Sequence, residues 1–272
     1  DVVMNRAAAH MDALSVHYYT IATGEWDNKS SATDFGKELY FSALKNSLHM
    51  DELLTKHSAI MDKYDPQKNV PLLVDEWGIW TDQEPGSKPG FLYQQNSMRD
   101  ALIAATTFDI FHKHSDRVKM ANIAQVVNVL QAMLLTNEDQ VIKTPSYHIF
   151  NMYKVHQDAT YIPVLLESEN YSMDDESIPA ISGTASRKDG KVNISISNLN
   201  PDESQTVEVD IENGDLEEVV TSSLLTAPRV NSVNTFGDPE VVKPITFSDY
   251  QINGHTLTVT LPTHSVITLE LE

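Results

Sequence analysis

In the first half of the chain, short apolar runs alternate with longer stretches that have the periodicity of helices. The apolar runs are typical of buried parallel strands and span residues 13–19, 70–76 and 118–124. The helical stretches span residues 1–10, 35–64, 91–114 and 144–156, with Thr144 as N-cap and Pro145 at the first position of the last one. This repeated order predicts an α/β region in which helices cover a parallel sheet.

From about residue 160 the pattern changes to alternation of apolar and polar positions. Residues 192–197, 206–211 and 256–261 alternate with a period of two, as strands do. Turn-forming sequences separate such runs: Lys188-Asp189-Gly190, Asn200-Pro201-Asp202, Asn213-Gly214-Asp215 and Asn253-Gly254. The second half is therefore predicted to be an antiparallel, all-β sandwich. Because no low-complexity linker separates the halves, we expect them to pack directly on each other.

The composition excludes several classes of function. The 272 residues are 41% hydrophobic and 21% charged, with a formal net charge of −20 and no cysteine. The charge disfavours nucleic acid and anionic membranes as partners. The absence of cysteine excludes disulfides, thiolate zinc sites and cysteine nucleophiles. No apolar run approaches the ~18–20 residues of a membrane span and no signal peptide opens the chain, so we expect a cytoplasmic protein without a membrane partner.

The strand pattern at residues 70–76 ends in the most informative group of residues, Asp75-Glu76-Trp77-Gly78. In an α/β barrel, the carboxyl end of a strand faces the mouth of the active site. A carboxylate beside an indole suits sugar chemistry there, since it supplies an oxygen nucleophile and an apolar face for a sugar ring. The alternative is that Asp75 and Glu76 open a solvated loop, because so short a motif also occurs by chance.

Four segments of the chain, in this order, resemble the α-L-arabinofuranosidases of glycoside hydrolase family 51. They are His17-Tyr18-Tyr19, Val74-Asp75-Glu76-Trp77-Gly78-Ile79-Trp80, Met120-Ala121-Asn122-Ile123-Ala124-Gln125-Val126-Val127-Asn128-Val129 and Thr144-Pro145-Ser146-Tyr147-His148-Ile149-Phe150. The resemblance implies the C-terminal part of a (β/α)8 TIM barrel in residues 1–159, followed by an antiparallel jelly-roll-like β-sandwich in residues 160–272. It also implies retaining hydrolysis of terminal arabinofuranosyl residues of arabinoxylan or arabinan oligosaccharides, without cofactor or metal, by a homo-oligomer.

The resemblance assigns the nucleophile and its neighbours. Glu76 is expected to attack the anomeric carbon and to form a covalent glycosyl-enzyme. His17 and Tyr19 are two residues apart on a strand and therefore share one face. Tyr19 is expected to hydrogen-bond the nucleophile, and His17 to orient charge near it. If Tyr18 faces the pocket instead, His17 is a structural histidine. By the same parity, Asp75 is expected to point away from Glu76 and to be structural.

Other candidates lie at the rim of the expected pocket. Gln125 resembles the residue that contacts the arabinose, although it can also be a polar residue that starts a helix. Trp80 resembles the aromatic wall beside the sugar, whereas Trp77 is expected to pack against the barrel. The alternative is that either indole only packs against neighbouring side chains and has no role in binding. The pair His112 and His114 is not interpreted as a metal site, because this spacing in a helix places the two rings about 200° apart.

One catalytic group of the family has no counterpart in the chain. The family carries its acid/base in an Asn-Glu pair at the end of an earlier strand, whereas Asn137-Glu138 follows the third strand in a polar loop. A complete barrel needs roughly 200 residues or more. Either the first half is a small open sheet, or further strands lie upstream of Asp1. The start within a helical pattern favours the second possibility, in which the upstream part of the same enzyme is a partner of this chain.

Two other functions stay open at this point. Another retaining barrel glycosidase, such as a xylosidase or an endoglucanase, would have the same plan of its site. The second open possibility is a non-enzymatic function, in which the chain is a carbohydrate-binding or assembly fragment with no catalysis of its own.

Overall fold

The computed structural model of the chain describes residues 1–211 and 216–272. The helices are α1 Val2–Ala7, α2 Lys37–Ser47, α3 His49–Asp62, α4 Met98–Lys113 and α5 Pro145–Met152, with short 3₁₀ segments at Ala8–His10 and Tyr153–His156. The strands of the first half are β1 Leu14–Thr20, β2 Leu72–Ile79, β3 Val118–Ile123, β4 Leu134–Asn137 and β5 Gln140–Lys143. Those of the second half are β6 Thr160–Ile162, β7 Asn170–Met173, β8 Glu176–Pro179, β9 Ile181–Lys188, β10 Lys191–Asn198, β11 Gln205–Asp210, β12 Val219–Leu225, β13 Tyr250–Asn253, β14 Thr256–Leu261 and β15 Ser265–Leu271.

The three predicted strands of the first half form one parallel sheet in the order β1-β2-β3. Helices α2 and α3 connect β1 to β2, and α4 connects β2 to β3, so strand and helix alternate as the sequence predicts. β1 and β3 are the edges of this sheet. The described residues therefore form an open parallel sheet, and its completion to a barrel stays a prediction.

The second half contains two larger antiparallel sheets that face each other, and a separate antiparallel hairpin, β7-β8. One has the order β12-β15-β10-β9-β6 and the other the order β11-β14-β13. Their facing sides enclose a core of buried aliphatic residues, including Ile194, Leu257 and Ile267. The predicted turn around Asp189 joins β9 to β10, and Asn253-Gly254 joins β13 to β14. The predicted turn Asn213-Gly214-Asp215 lies outside the described residues.

The two halves pack directly on each other through a polar layer. α4 and the Tyr153–His156 segment lie against the outer face of the five-stranded sheet. The imidazole of His156 lies there between two sheet hydroxyls, with Nδ1 2.7 Å from Ser186 Oγ and Nε2 2.8 Å from Ser195 Oγ. Alternation of residue type predicts β10 correctly, but its polar positions face the helices and are buried.

Two predicted helices have different bounds in the structure. The stretch 35–64 forms α2 and α3, which meet at Leu48. Ser47 Oγ donates to the Leu44 carbonyl (2.7 Å) at this junction, and such local bonds compete with the helical ladder. α4 begins at Met98, where the side chain of Asp100 accepts a 2.7 Å hydrogen bond from the backbone amide of Ser97, the residue before the helix.

The last helix of the first half begins where it is predicted to begin. The side chain of Thr144 accepts from the amide of Tyr147, and Pro145 occupies the first helical position. Within the described residues, no helix has both the length and the apolar character that crossing a membrane requires.

Candidate active site

The candidate site lies near the carboxyl end of β2, where the pairing with β1 is irregular. Ser15 is paired with Leu73 and His17 with Glu76, so two steps along β1 match three steps along β2. One extra residue in β2 shifts the alternation of its side chains. Asp75 and Glu76 consequently both reach the imidazole of His17. The expectation that Asp75 points away from Glu76 is wrong, because strict parity holds only for a regular strand.

Tyr19 lies directly against the candidate nucleophile. Its hydroxyl donates a 2.8 Å hydrogen bond to Oε2 of Glu76. Burial, together with this bond to a carboxylate, raises the pKa of Tyr19 well above its usual value, so the phenol keeps its proton. Tyr18 instead donates to the backbone carbonyl of Asn46 in α2 at 2.6 Å. The structure thus brings Tyr19, and not Tyr18, to Glu76.

His17 lies between the two carboxylates. Its Nε2 is 3.0 Å from Oδ1 of Asp75, and its Nδ1 is 3.5 Å from Oε2 of Glu76. Ser15 Oγ donates to Asp75 at 2.6 Å and lies 3.1 Å from Nε2 of His17. Because the hydroxyl proton of Ser15 is used on Asp75, Nε2 of His17 is the donor to Ser15. The bond from Ser15, followed by weaker effects of His17, lowers the pKa of Asp75.

Two of the three tryptophans have distinct surroundings at this end of the sheet. Trp77 is buried among Phe108, Phe111 and Phe150, which is the packing expected for it. Trp80 lies edge-on to Tyr19, with ring centroids 4.9 Å apart, and is therefore one ring removed from Glu76.

Gln125 follows the end of β3, the strand next to β2. Its side chain is exposed, and its backbone amide donates to the carbonyl of Leu130 at 2.7 Å. This position is at the same end of the sheet as Glu76. The structure gives no hydrogen bond between the side chains of Gln125 and Glu76 among the described residues.

Sequence reasoning missed three residues around the site. Ser15 is on the same face of β1 as His17, and parity alone would have included it. Trp26 stands in the loop after β1, where an aromatic residue between turn-forming residues is a detectable signal. Gln131 is buried beside Gly78, two residues beyond Glu76, and no sequence pattern points to it.

The described part of the chain contains no group of three or more His, Cys, Asp or Glu residues arranged to hold a metal ion. The side chains that the structure brings together at the site are carboxylates, a phenol, an imidazole and an indole.

Comparison with known proteins identifies the chain's relatives. The family described as "Alpha-L-arabinofuranosidase C-terminal domain" matches residues 75–265. The chain belongs to the α-L-arabinofuranosidase family. An "Intracellular exo-alpha-L-arabinofuranosidase" of Bacteroides ovatus is 47% identical over 274 residues, which are 100% of this chain and 53% of that protein.

Solved structures of family 51 members agree with this assignment. The GH51 arabinofuranosidase of Xanthomonas axonopodis pv. citri has a TM-score of 0.97 and 49% identity, over 100% of this chain and 55% of that chain. A family 51 α-L-arabinofuranosidase from Bifidobacterium longum has a TM-score of 0.84 at 22% identity, over 100% of this chain and 55% of that chain, and shows the shared fold. The resemblance to glycoside hydrolase family 51 is confirmed. The chain spans about half the length of the relatives it matches.

Proposed function

We propose that this chain is the nucleophile-bearing, C-terminal portion of a retaining α-L-arabinofuranosidase that releases terminal arabinofuranosyl residues from arabinoxylan or arabinan oligosaccharides. In this proposal, residues 1–159 are the last strands and helices of a (β/α)8 barrel, and residues 160–272 are its β-sandwich. The observation that carries it is Glu76 near a strand end, bonded at 2.8 Å by the hydroxyl of Tyr19. Family membership supports the substrate class.

Glu76 acts as the nucleophile in the proposed mechanism. Tyr19 holds Oε2 of Glu76, which leaves Oε1 for attack on the anomeric carbon. The attack breaks the glycosidic bond and forms a glycosyl-enzyme, which water then hydrolyses. His17, held by Asp75 and Ser15, fixes the electrostatic field beside the carboxylate. Gln125 and Trp80 are proposed to contact the sugar, the first by hydrogen bonds and the second by its ring face.

A second carboxyl group is proposed to come from the upstream part of the same enzyme. A retaining glycosidase needs an acid/base about 5–5.5 Å from the nucleophile. Asp75 is the neighbouring carboxylate, but Ser15 and His17 already occupy it. β1 and β3 are free edges of a parallel sheet, to which further strands can pair. We propose that upstream strands close the barrel there, that the enzyme is a homo-oligomer, and that it is intracellular like the Bacteroides ovatus relative.

The test uses the full-length protein and aryl glycosides. Wild type is expected to hydrolyse 4-nitrophenyl α-L-arabinofuranoside far faster than the corresponding xyloside. Glu76→Ala should abolish this activity and leave the fold intact, and azide should restore part of it by occupying the vacated space. Glu138→Ala, in the exposed turn between β4 and β5, is the matched control and should retain full activity.

Three outcomes would contradict the proposal. Turnover like that of wild type in Glu76→Ala would remove the nucleophile assignment. A large loss in Glu138→Ala would show that the acid/base is in this chain. Preference for the xyloside would favour the alternative glycosidase activity.

A further inference from the structure

The loop between β1 and α2 presents an indole close to the candidate nucleophile. Trp26 is 58% exposed, and its ring lies edge-on to Trp80 with centroids 5.0 Å apart. Trp80 in turn lies 4.9 Å from the ring of Tyr19, whose hydroxyl bonds Glu76. A continuous row of aromatic rings therefore leads from Glu76 to the surface of this chain.

The loop that carries Trp26 is closed on itself. Glu25 and Asn28 form an antiparallel bridge, in which the amide of Asn28 donates to the carbonyl of Glu25 at 3.2 Å. Thr23 accepts from the amide of Glu25 at 3.1 Å and donates to the carbonyl of Asn28. Trp26 is thus held at the tip of a tight turn and is not on a freely moving segment.

The same loop is fastened to the segment that carries Trp80. The amide of Asp82 donates to the carbonyl of Ser30 at 2.8 Å, and the carboxylate of Asp82 accepts from the amide of Lys29 at 3.3 Å. These bonds join the chain after β1 to the chain after β2. The two indoles consequently keep a fixed relation to each other and to the end of the sheet.

Lys29 fixes the orientation of the exposed indole. Its Nζ lies 4.6 Å from the centroid of the Trp26 ring and 5.4 Å from that of Trp80, and it donates to the carbonyl of Trp26. A cation over the face of an indole is attracted by the ring quadrupole. An exposed aromatic residue held by a turn, a cation and a second indole is preorganised for contact with a ligand.

We propose that Trp26 and Trp80 form a binding platform for the leaving group, the sugar ring to which the scissile arabinofuranosyl group is attached. This inference rests on the proposed function, since the row of rings begins at Glu76. The apolar C–H face of a neutral sugar ring packs on indole while its hydroxyls stay in water, which suits a half-exposed platform. Lys29 is a positioning residue that acts through Trp26.

The test compares two substrates of the full-length enzyme that differ only in the leaving group. Arabinotriose has a sugar leaving group that can reach the platform, whereas methyl α-L-arabinofuranoside has none. Trp26→Ala is expected to lower kcat/KM for arabinotriose about fivefold to tenfold, given the usual strength of aromatic contacts, and to change that for the methyl glycoside less than about twofold. Trp26→Phe should recover part of the loss.

Phe91 provides a matched control. It is also 58% exposed and also has a lysine over its ring, Lys88 at 4.7 Å, but no other aromatic ring contacts it among the described residues. Phe91→Ala should leave kcat/KM near the wild-type value for both arabinotriose and the methyl glycoside. An equal loss in Phe91→Ala, an equal loss on both substrates in Trp26→Ala, or no loss on arabinotriose would overturn the platform. Failure of wild type to hydrolyse either arabinoside would instead overturn the proposed function.

Lys29→Met tests the positioning role separately. It should reduce kcat/KM for arabinotriose less than Trp26→Ala does. In the Trp26→Ala background it should cause no further reduction of kcat/KM. A full additional loss in the double variant would show that Lys29 binds the sugar itself and does not act through Trp26.

Discussion

The hydroxyl of Tyr19 and the carboxylate of Glu76 meet across two neighbouring parallel strands at 2.8 Å. β1 and β2 place these residues two register positions apart, because His17 is the residue paired with Glu76 and Tyr19 is paired with Gly78. The bond therefore runs diagonally along the sheet and orients the carboxylate relative to its backbone. A bond from a neutral donor to a carboxylate is among the stronger hydrogen bonds in proteins.

Removal of this hydroxyl is expected to slow the reaction. In the full-length enzyme, Tyr19→Phe should lower kcat on an aryl arabinofuranoside about 10- to 100-fold, the loss that corresponds to one hydrogen bond to a charged group. KM should change little, since the hydroxyl acts on Glu76 and not on the substrate. Tyr18→Phe is the control, because its hydroxyl bonds the Asn46 carbonyl. A larger loss of kcat in Tyr18→Phe would show that the pocket face has been assigned incorrectly.

Gly78 is expected to be irreplaceable for a steric reason. Its φ is +124°, which other residues rarely adopt, and a Cβ there would lie 2.7 Å from Cγ of the buried Gln131. Gly78→Ala should therefore lower both the melting temperature and kcat, because it displaces the end of β2 that carries Glu76.

The double variant Gly78→Ala, Gln131→Ala separates the two causes. It removes the collision and leaves the backbone strain, so it should recover part of the lost stability but not all of it. Gly190→Ala, at a turn where an added Cβ meets nothing within 4 Å, should cost only the strain of its own positive φ. Equal stability of Gly78→Ala and wild type would contradict the steric explanation.

The parallel sheet and the antiparallel sandwich were predictable because each depends on local periodicity. The ends of the predicted strands at residues 13–19, 70–76 and 118–124 differ by at most three residues from the ends of β1, β2 and β3. The division of residues 35–64 into two helices was not predictable, since the helical pattern runs through the junction at Leu48, where Ser47 bonds the Leu44 carbonyl. Element types follow from spacing, whereas breaks within them follow from contacts that spacing does not encode.

The candidate site was predictable only where the strand is regular. Parity places His17 and Tyr19 on one face, which agrees with the geometry near Glu76. It misplaces Asp75, because the irregularity between Ser15 and His17 depends on the pairing of two strands. The contact between Trp26 and Trp80 joins two loops that are far apart in the chain, so no local pattern reveals it.

The buried carboxyl group of Asp109 is expected to weaken the protein as the pH rises. Asp109 accepts from the hydroxyls of Tyr153 (3.0 Å) and Ser182 (2.6 Å) at the contact between α4 and β9, and burial raises its pKa to about 7. An unfolded chain releases this proton near pH 4, and the folded chain releases it near pH 7. The contribution of Asp109 to stability therefore decreases between these values and is constant above about pH 7.

Asp109→Asn tests this expectation. The melting temperature of the variant relative to wild type should rise as the pH increases from about 4 to about 7 and then level off, because wild type loses about 1.4 kcal/mol of stability for each pKa unit between these values. Asp249→Asn, at an exposed position, is the control and should show no such trend. A constant difference between Asp109→Asn and wild type across this range would contradict the raised pKa.

The imidazole of His156 is expected to limit stability on the acid side. Burial lowers its pKa to about 3, and His112, whose ring lies 5.0 Å away, has a pKa lowered by burial to about 4. The groups around the pair are Asp109 on α4, Tyr153 beside His156, and hydroxyls of the five-stranded sheet. The unfolded histidines bind protons below about pH 6.5 and the folded ones do not, so unfolding takes up protons and stability falls as the pH decreases from 6.5 towards 3.

His156→Gln should reveal this dependence by removing one of the two titrations. At pH 7 the variant should melt below wild type, because it weakens the bonds to Ser186 and Ser195. As the pH falls from 6.5 to about 4, wild type should lose stability faster than the variant, and the difference in melting temperature should narrow. His255→Gln, at an exposed position, should follow wild type throughout. If the difference for His156→Gln widened on acidification, the imidazole would be charged in the folded protein, and the polar layer between the helices and the sandwich would be held by an ionic contact and not by neutral hydrogen bonds.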